Sequence, residues 1–272
     1  MDLKGAQIGF VGGGMMAEAI AKGLVNAKML SRDQIWFSEP YEPRVKYLKE
    51  QGWQLEDSNA MLVKKADVIF LAVKPNVIGD VAKEVCEVIT AAGSEKFVVS
   101  IAAGISIETL CQSGLPTDNI VRVMPNTPAL VGTGASAVSG SHKERVALVS
   151  KLMSAVGVAV EVPEYQLDAV TCVSGSGPAY VYVFIESLAD AGVLKGLSRE
   201  AARKLAVQTV LGAARMVEET GEHPAQLRNK VESPGGTTIA AVRALEENSF
   251  RSAIYAAVEA CDARLKTLSG KL

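Results

Sequence analysis

Apolar positions in the first half of the chain fall into short, nearly unbroken runs, separated by stretches with helical spacing. Residues 8–11 form such a run and end in glycines. Residues 15–25 then repeat apolar side chains at helical intervals. A second strand is predicted at 35–37 and a helix at 43–51. Residues 68–73 are nearly all apolar, the pattern of a strand covered on both faces. A helix over 76–91 follows, then strands at 97–101, 120–124 and 135–138, a helix at 143–156 and a last strand at 158–162. Strands alternating with helices imply crossover units and a largely parallel sheet.

After Pro163 the strand signals stop. Residues 179–194 are apolar almost all round, which predicts a buried helix. Ser198 can N-cap a long helix running to about Glu219, with Glu200 in its first turn. Helices at 224–231, 238–247 and 252–268 complete an all-helical second half. The expected organisation is an α/β domain over 1–163, with a doubly wound sheet, and an all-α domain over 164–272.

Composition narrows the classes. The chain has 272 residues, 49% hydrophobic and 21% charged, an ordinary globular mixture for two moderate domains. A net charge of −2 offers no basic excess to neutralise phosphates, so no nucleic-acid partner is expected. Mean hydropathy is +0.20 although aromatics are only 5%, so the surplus is aliphatic. Wide apolar faces follow, including a subunit interface. No apolar run approaches the roughly 20 residues of a membrane span, and residues 1–7 lack the pattern of a secretory leader. The four cysteines, Cys86, Cys111, Cys172 and Cys261, form no C-x-x-C pair, which fits a reducing, cytoplasmic setting. His142 and His223 are the only histidines and neither has a partner at i+4, so no metal site is expected.

The strongest local chemistry is Gly12, Gly14 and Ala17, a G-x-G-x-x-A pattern between a predicted strand and a predicted helix. Gly12 can make the tight turn, Gly14 lets the backbone approach a pyrophosphate, and Ala17 lets the helix pack on the strand. The pyrophosphate would sit on the helix N-terminus, where N–H groups and the dipole favour an anion. At the end of the second strand, Glu39 lies where an acidic ligand to the adenosine ribose belongs in NAD sites. Ser38 and Arg44 could instead hold the 2′-phosphate of NADP. Lys74 and Asn76, in a strand-end loop, would face a cofactor. The loops at 102–104 and 124–128 read equally well as turn chemistry.

In the second half, Ser233, Pro234, Gly235, Gly236, Thr237 and Thr238 cluster two glycines and three hydroxyls before a helix. That is a natural carboxylate or phosphate site; the plainer reading is a helix cap by Thr237, worth about 1 kcal/mol.

The run Ser233-Pro-Gly-Gly-Thr-Thr-Ile-Ala-Ala-Val-Arg-Ala-Leu-Glu246 resembles the signature of pyrroline-5-carboxylate reductase. Gly9 to Ala17, Ala72 to Pro75, Ala102 to Gly104, Met124 to Pro128 and Ser174 to Tyr180 resemble the other loops of that family, in the same order. The resemblance implies a Rossmann-type domain followed by a helical dimerisation domain. It implies reduction of 1-pyrroline-5-carboxylate to L-proline by NADPH or NADH, in homodimers often assembled further into decamers. Carried over by resemblance, the cofactor site comprises Gly12, Gly14, Met15, Met16, Ser38, Asn59, Val73, Lys74 and Pro75. The substrate site comprises Ser233, Gly235, Gly236, Thr237 and Thr238, with Thr238 polarising the imine. Glu39 departs from the family's pattern, since a carboxylate there repels a 2′-phosphate; NADPH is still favoured, with NADH possible. A β-hydroxyacid dehydrogenase and a non-catalytic dinucleotide sensor are the alternatives. The first wants a lysine inside the helix at 179–194, where none occurs.

Overall fold

The structure is a computed structural model describing residues 5–92 and 96–268. Residues 1–4, part of the segment read above for a leader, lie outside the described residues, as do 93–95 and 269–272.

Among the described residues, eight strands form one sheet: β1 (Ile8–Val11), β2 (Ile35–Ser38), β3 (Gln54–Leu55), β4 (Val68–Leu71), β5 (Phe97–Ser100), β6 (Ile120–Met124), β7 (Gly134–Gly140) and β8 (Gly157–Glu161). Their order is β3-β2-β1-β4-β5-β6-β7-β8. The chain leaves β1 toward one edge, then crosses back to add β4 on β1's other side. Between β1 and β4 lies the point where the winding reverses, the place where such sheets bind ligands.

The interleaved helices are α1 (Met15–Asn26), α2 (Glu42–Glu50), α3 (Asn59–Lys65), α4 (Ile78–Ala92), α5 (Ile107–Cys111), α6 (Lys143–Met153) and α7 (Leu167–Val170). The second half adds α8 (Gly177–Leu194), α9 (Arg199–Thr220), α10 (Pro224–Val231), α11 (Thr237–Glu247) and α12 (Phe250–Leu268).

Every residue of β1, β4 and β5 is buried, as expected for strands covered on both faces. Register places Phe10 opposite both Phe37 and Phe70. Their rings stack with centroids 5.1 and 4.8 Å apart, tying three strands together on one face. The other face is filled by Leu62, Val63, Ile78, Ala82 and Val85 from α3 and α4.

One strand pair departs from the parallel expectation: β6 and β7 are antiparallel. Their connection, residues 125–133, is shorter than the dozen or so residues a parallel crossover needs, so the chain must reverse.

The chain divides into two compact units: one reaches through Ser176 and takes in the chain again from Asp262, the other is Gly177–Cys261. The first unit thus runs past Pro163. Beyond Pro163, Leu167 and Cys172 are each 1% exposed, and Asn126 Nδ2 donates to the Ser174 carbonyl at 3.0 Å.

The second unit corrects one expectation. The helix at 179–194 is α8, yet within a single chain only its Ala189 is buried. Val181, Tyr182, Val183, Phe184 and Leu188 all face outward. The buried side chains of this unit are the small ones Ala189, Ala202 and Ala206, between α8 and α9. A helix apolar almost all round calls for a cover, and one copy of this chain does not provide it.

Candidate cofactor and substrate sites

The loops after β1, β2 and β4 are laced together at the reversal point. Gly12 N–H donates to the Ser38 carbonyl at 2.8 Å, and Ala72 N–H to the Val11 carbonyl at 2.8 Å. Gly12 has φ +97°, and a Cβ there would lie 2.7 Å from the Ala72 carbonyl oxygen. Only glycine fits both conditions. Val73 packs against the same spot.

Gly14 is the N-cap of α1 and supplies no side-chain cap. A Cβ on Gly14 would meet nothing within 4 Å. Open space therefore lies directly before the start of α1, where unpaired N–H groups meet the positive end of the helix dipole. Met15 is 71% exposed there and Met16 is half-buried against the core. Ala17 is fully buried, which allows α1 to lie close to the sheet. A dinucleotide's pyrophosphate fits this cradle.

Ser38 is buried, and its hydroxyl donates to Asn59 Oδ1 at 2.8 Å. Asn59 Nδ2 in turn donates to Glu84 Oε2 at 2.7 Å. Asn59 opens α3, whose N-cap Ser58 accepts from Met61 N–H at 3.2 Å. The structure thus joins Ser38 and Asn59, two residues 21 apart in sequence. Glu84 was not anticipated, and nothing in the local sequence marks it. Lys74 and Pro75 are exposed in the loop after β4, at the entry to a short 3-10 turn (Pro75–Val77). The β5 loop offers Ala102, Ala103 and Gly104, the last with φ +75°.

The two charged candidates at the β2 end have partners within the chain. Glu39 accepts from Gly13 N–H at 2.8 Å and Tyr41 N–H at 2.9 Å, so its carboxylate is committed to backbone. Arg44 bonds the Gly13 carbonyl and pairs with Glu18. Glu18, on α1, is only 6% exposed and also pairs with Lys22 at 2.7 Å. Burial raises the Glu18 carboxyl, but the hydrogen bonds and charges of Lys22 and Arg44 outweigh it and hold the group below its ordinary 4.5. A depressed folded pKa stabilises the protein fully above 4.5, and the contribution is lost as pH falls through the folded value. Glu18→Gln is therefore expected to lower the melting temperature at neutral pH, with the deficit shrinking toward zero in acid; thermal melts across pH check this.

In the second unit, Gly236 N–H bonds the Ser233 carbonyl at 2.9 Å, closing a turn with Pro234 second and Gly235, at φ +66°, third. That is the residue pattern of a type II turn. Gly236 is the N-cap of α11 and supplies no side-chain cap. Thr237 is thus the first helical residue, which rules out the cap reading made for it. Thr238 follows, half-buried. The first N–H groups of α11 open beside two hydroxyl-bearing residues, an arrangement suited to a carboxylate.

Other polar candidates have structural partners. Asn126 accepts from Ala135 N–H at 2.8 Å while donating to Ser174, so both ends of its amide are used. His223 caps α10, its Nδ1 accepting from Ala225 N–H at 3.2 Å. Among the described residues, no group of three His, Cys, Asp or Glu side chains could hold a metal ion, and no helix is long and apolar enough to cross a membrane.

Comparison with known proteins extends these observations. Residues 164–268 match the family described as pyrroline-5-carboxylate reductase dimerisation. Residues 7–104 match NADP oxidoreductase, coenzyme F420-dependent. A pyrroline-5-carboxylate reductase of Synechocystis is 46% identical over 269 residues, 97% of this chain and 99% of that one. The solved structure of a pyrroline-5-carboxylate reductase from Coxiella burnetii superposes with a TM-score of 0.91 at 35% identity, covering 97% and 99% of the two chains. The Plasmodium falciparum pyrroline carboxylate reductase, solved with NADP bound, gives 0.83 at 35% identity, covering 97% and 98%. With a relative this similar along nearly its whole length, the chain belongs to the pyrroline-5-carboxylate reductase family.

Proposed function

We propose that this protein reduces 1-pyrroline-5-carboxylate to L-proline, with NADPH as the favoured cofactor and NADH accepted. The observation that carries the reading is a pair of helices in one chain that start on glycine N-caps, Gly14 before α1 and Gly236 before α11. The first suits a pyrophosphate, the second a small carboxylate beside hydroxyls.

A bound reduced nicotinamide supplies a hydride, and the remaining work falls to this chain. The N–H groups at the start of α1 hold the pyrophosphate, with Met15 and Met16 beside it. Ser38 and Asn59 present neutral dipoles to the adenosine ribose. Val73, Lys74 and Pro75 wall the opening after β4. The N–H groups at Gly236 and Thr237, with the Ser233 and Thr237 hydroxyls, hold the substrate carboxylate. Thr238 Oγ1 donates to the nitrogen of the neutral imine, or accepts from the N–H of the protonated one, and so holds C=N in place for attack; its hydroxyl is too weak an acid to be the proton source, so the proton comes from solvent or arrives with the imine. Fixed geometry, rather than acid–base power, provides most of the acceleration.

Assembly follows from the second unit. Leu205, Leu211, Met216 and Ile254 join α8 in presenting apolar surface, and matching faces of a second copy bury it. The family match over 164–268 supports a dimer formed through this segment, and we extend it to decamers built from such dimers. Sedimentation should show no species of 28.6 kDa at any concentration tested; a concentration-independent monomer would contradict the account. A cytoplasmic setting suits Cys86 and Cys172, which are buried thiols.

Oxidation of NADPH on addition of pyrroline-5-carboxylate, with equimolar proline formed, tests the proposal. Cofactor binding without turnover would favour the sensor; turnover of a hydroxyacid alone would favour the dehydrogenase.

A further inference from the structure

Gly13 is held at both of its backbone polar groups, one in each of the two peptides that flank it. Glu39 takes the Gly13 N–H at 2.8 Å. Arg44 takes the Gly13 carbonyl through Nε, and its Nη2 reaches the Gly14 carbonyl at 3.4 Å and the Glu18 carboxylate. The guanidinium also lies over the Tyr47 ring at 4.7 Å, and the Tyr47 hydroxyl donates to Glu18 at 3.2 Å. Glu18 is 6% exposed, so Arg44 is anchored to a buried carboxylate rather than held loosely at the surface. None of these four side chains has a part in the chemistry described above.

Peptide planarity turns this grip into a statement about the cofactor. In a trans peptide the carbonyl and the next N–H point in opposite directions. Arg44 pulls the Gly13 carbonyl toward α2, so the Gly14 N–H is aimed the other way, into the open space before α1. Glu39 meanwhile removes the Gly13 N–H from the donors available to an anion.

We propose that Arg44, backed by Glu18, is a positioning residue that aims the Gly14 N–H at the cofactor pyrophosphate, and is not a ligand of the 2′-phosphate. The proposal rests on the glycine loop being the cofactor's phosphate cradle. It has a signature that a ribose-phosphate ligand would lack: the pyrophosphate is common to NADPH and NADH, so both must suffer alike when Arg44 is lost.

Fluorescence titration of Arg44→Met with NADPH and with NADH, alongside wild type, tests this without turnover. Arg44→Met keeps an unbranched apolar stem and removes the fork, including its contact with the Tyr47 ring. Both dissociation constants should rise by about tenfold or more, with their ratio unchanged within about twofold, since a charge-assisted, geometrically fixed donor is lost in each case. Arg44→Lys should not rescue binding, because a point charge cannot serve two carbonyls and a carboxylate in one plane. Saturating cofactor should restore most of kcat, and KM for the imine should stay near wild type. A loss confined to NADPH would overturn the proposal and make Arg44 a 2′-phosphate ligand. Unchanged dissociation constants with a lowered apoprotein melting temperature would overturn it by showing a structural role alone. Should Arg44→Met not fold, Glu18→Gln carries the same expectation in milder form, and NADPH-selective loss there has the same contrary meaning. A wild-type protein that binds neither cofactor overturns the underlying reading before any variant is compared.

Discussion

Gly12→Ala is expected to abolish measurable binding of both reduced cofactors while leaving a folded, less stable protein. Two costs act together. At φ +97° a side-chain-bearing residue is strained, by about 1–3 kcal/mol. The added methyl would also lie 2.7 Å from the Ala72 carbonyl oxygen, which is backbone and cannot swing aside. Relief requires the turn to move away from β4, which breaks the Ala72 N–H bond to the Val11 carbonyl. The loops after β1, β2 and β4 then lose their common alignment, and Gly14 with its uncapped helix start shifts with them. Titration calorimetry with NADPH and NADH, paired with a thermal melt, separates the effects. A lower melting temperature with unchanged affinity would mean that this turn does not hold the cofactor.

The second large effect is expected at Thr238. Thr238→Val keeps the shape and removes the hydroxyl. Because Gly236, not a threonine, occupies the N-cap of α11, a capping loss does not confuse the result. If the hydroxyl bonds the imine nitrogen most strongly as the nitrogen gains electrons, kcat falls by about tenfold or more, the equivalent of about 1.4 kcal/mol. NADPH affinity should be unchanged, and Thr238→Ser should recover most of the activity. A raised KM at constant kcat would limit the hydroxyl to ground-state binding. Unchanged kcat and KM would reject the role.

These expectations draw on features of unequal visibility in the sequence. The β1, β4 and β5 strands could be read because burial on both faces forces unbroken apolar runs. The Gly12 turn could be read because a positive φ and a close carbonyl admit one residue type. Helix α9 could be read from Ser198, whose hydroxyl does accept from Ala201 N–H at 3.2 Å. Helices α3 and α5 are too short for a periodic signal, although their caps Ser58 and Ser106 were there to find. The antiparallel turn into β7 needed the length of one connection weighed against the crossover rule.

The site was legible in its glycines and less so in its side chains. Asn59 entered only through family resemblance, because its partner Ser38 is 21 residues away and no local pattern links them. From their place after β2, Glu39 and Arg44 read as alternatives, one for a ribose and the other for a 2′-phosphate. Their partners within the chain, Glu18 and the Gly13 backbone, become visible only when α1 and α2 are packed together. Helix α8 shows a different limit: apolar periodicity says that a surface must be covered, and not which copy of the chain covers it.

The central claim is hydride transfer from the nicotinamide to the imine carbon of pyrroline-5-carboxylate. Turnover with NADPH carrying deuterium at nicotinamide C4, on the face that is transferred, tests it most directly, with the proline product read by mass spectrometry and NMR. The account predicts proline heavier by one mass unit, labelled only at the ring carbon bonded to nitrogen and opposite the carboxylate-bearing carbon. Unlabelled proline, label at another carbon, or cofactor oxidation without proline would contradict it.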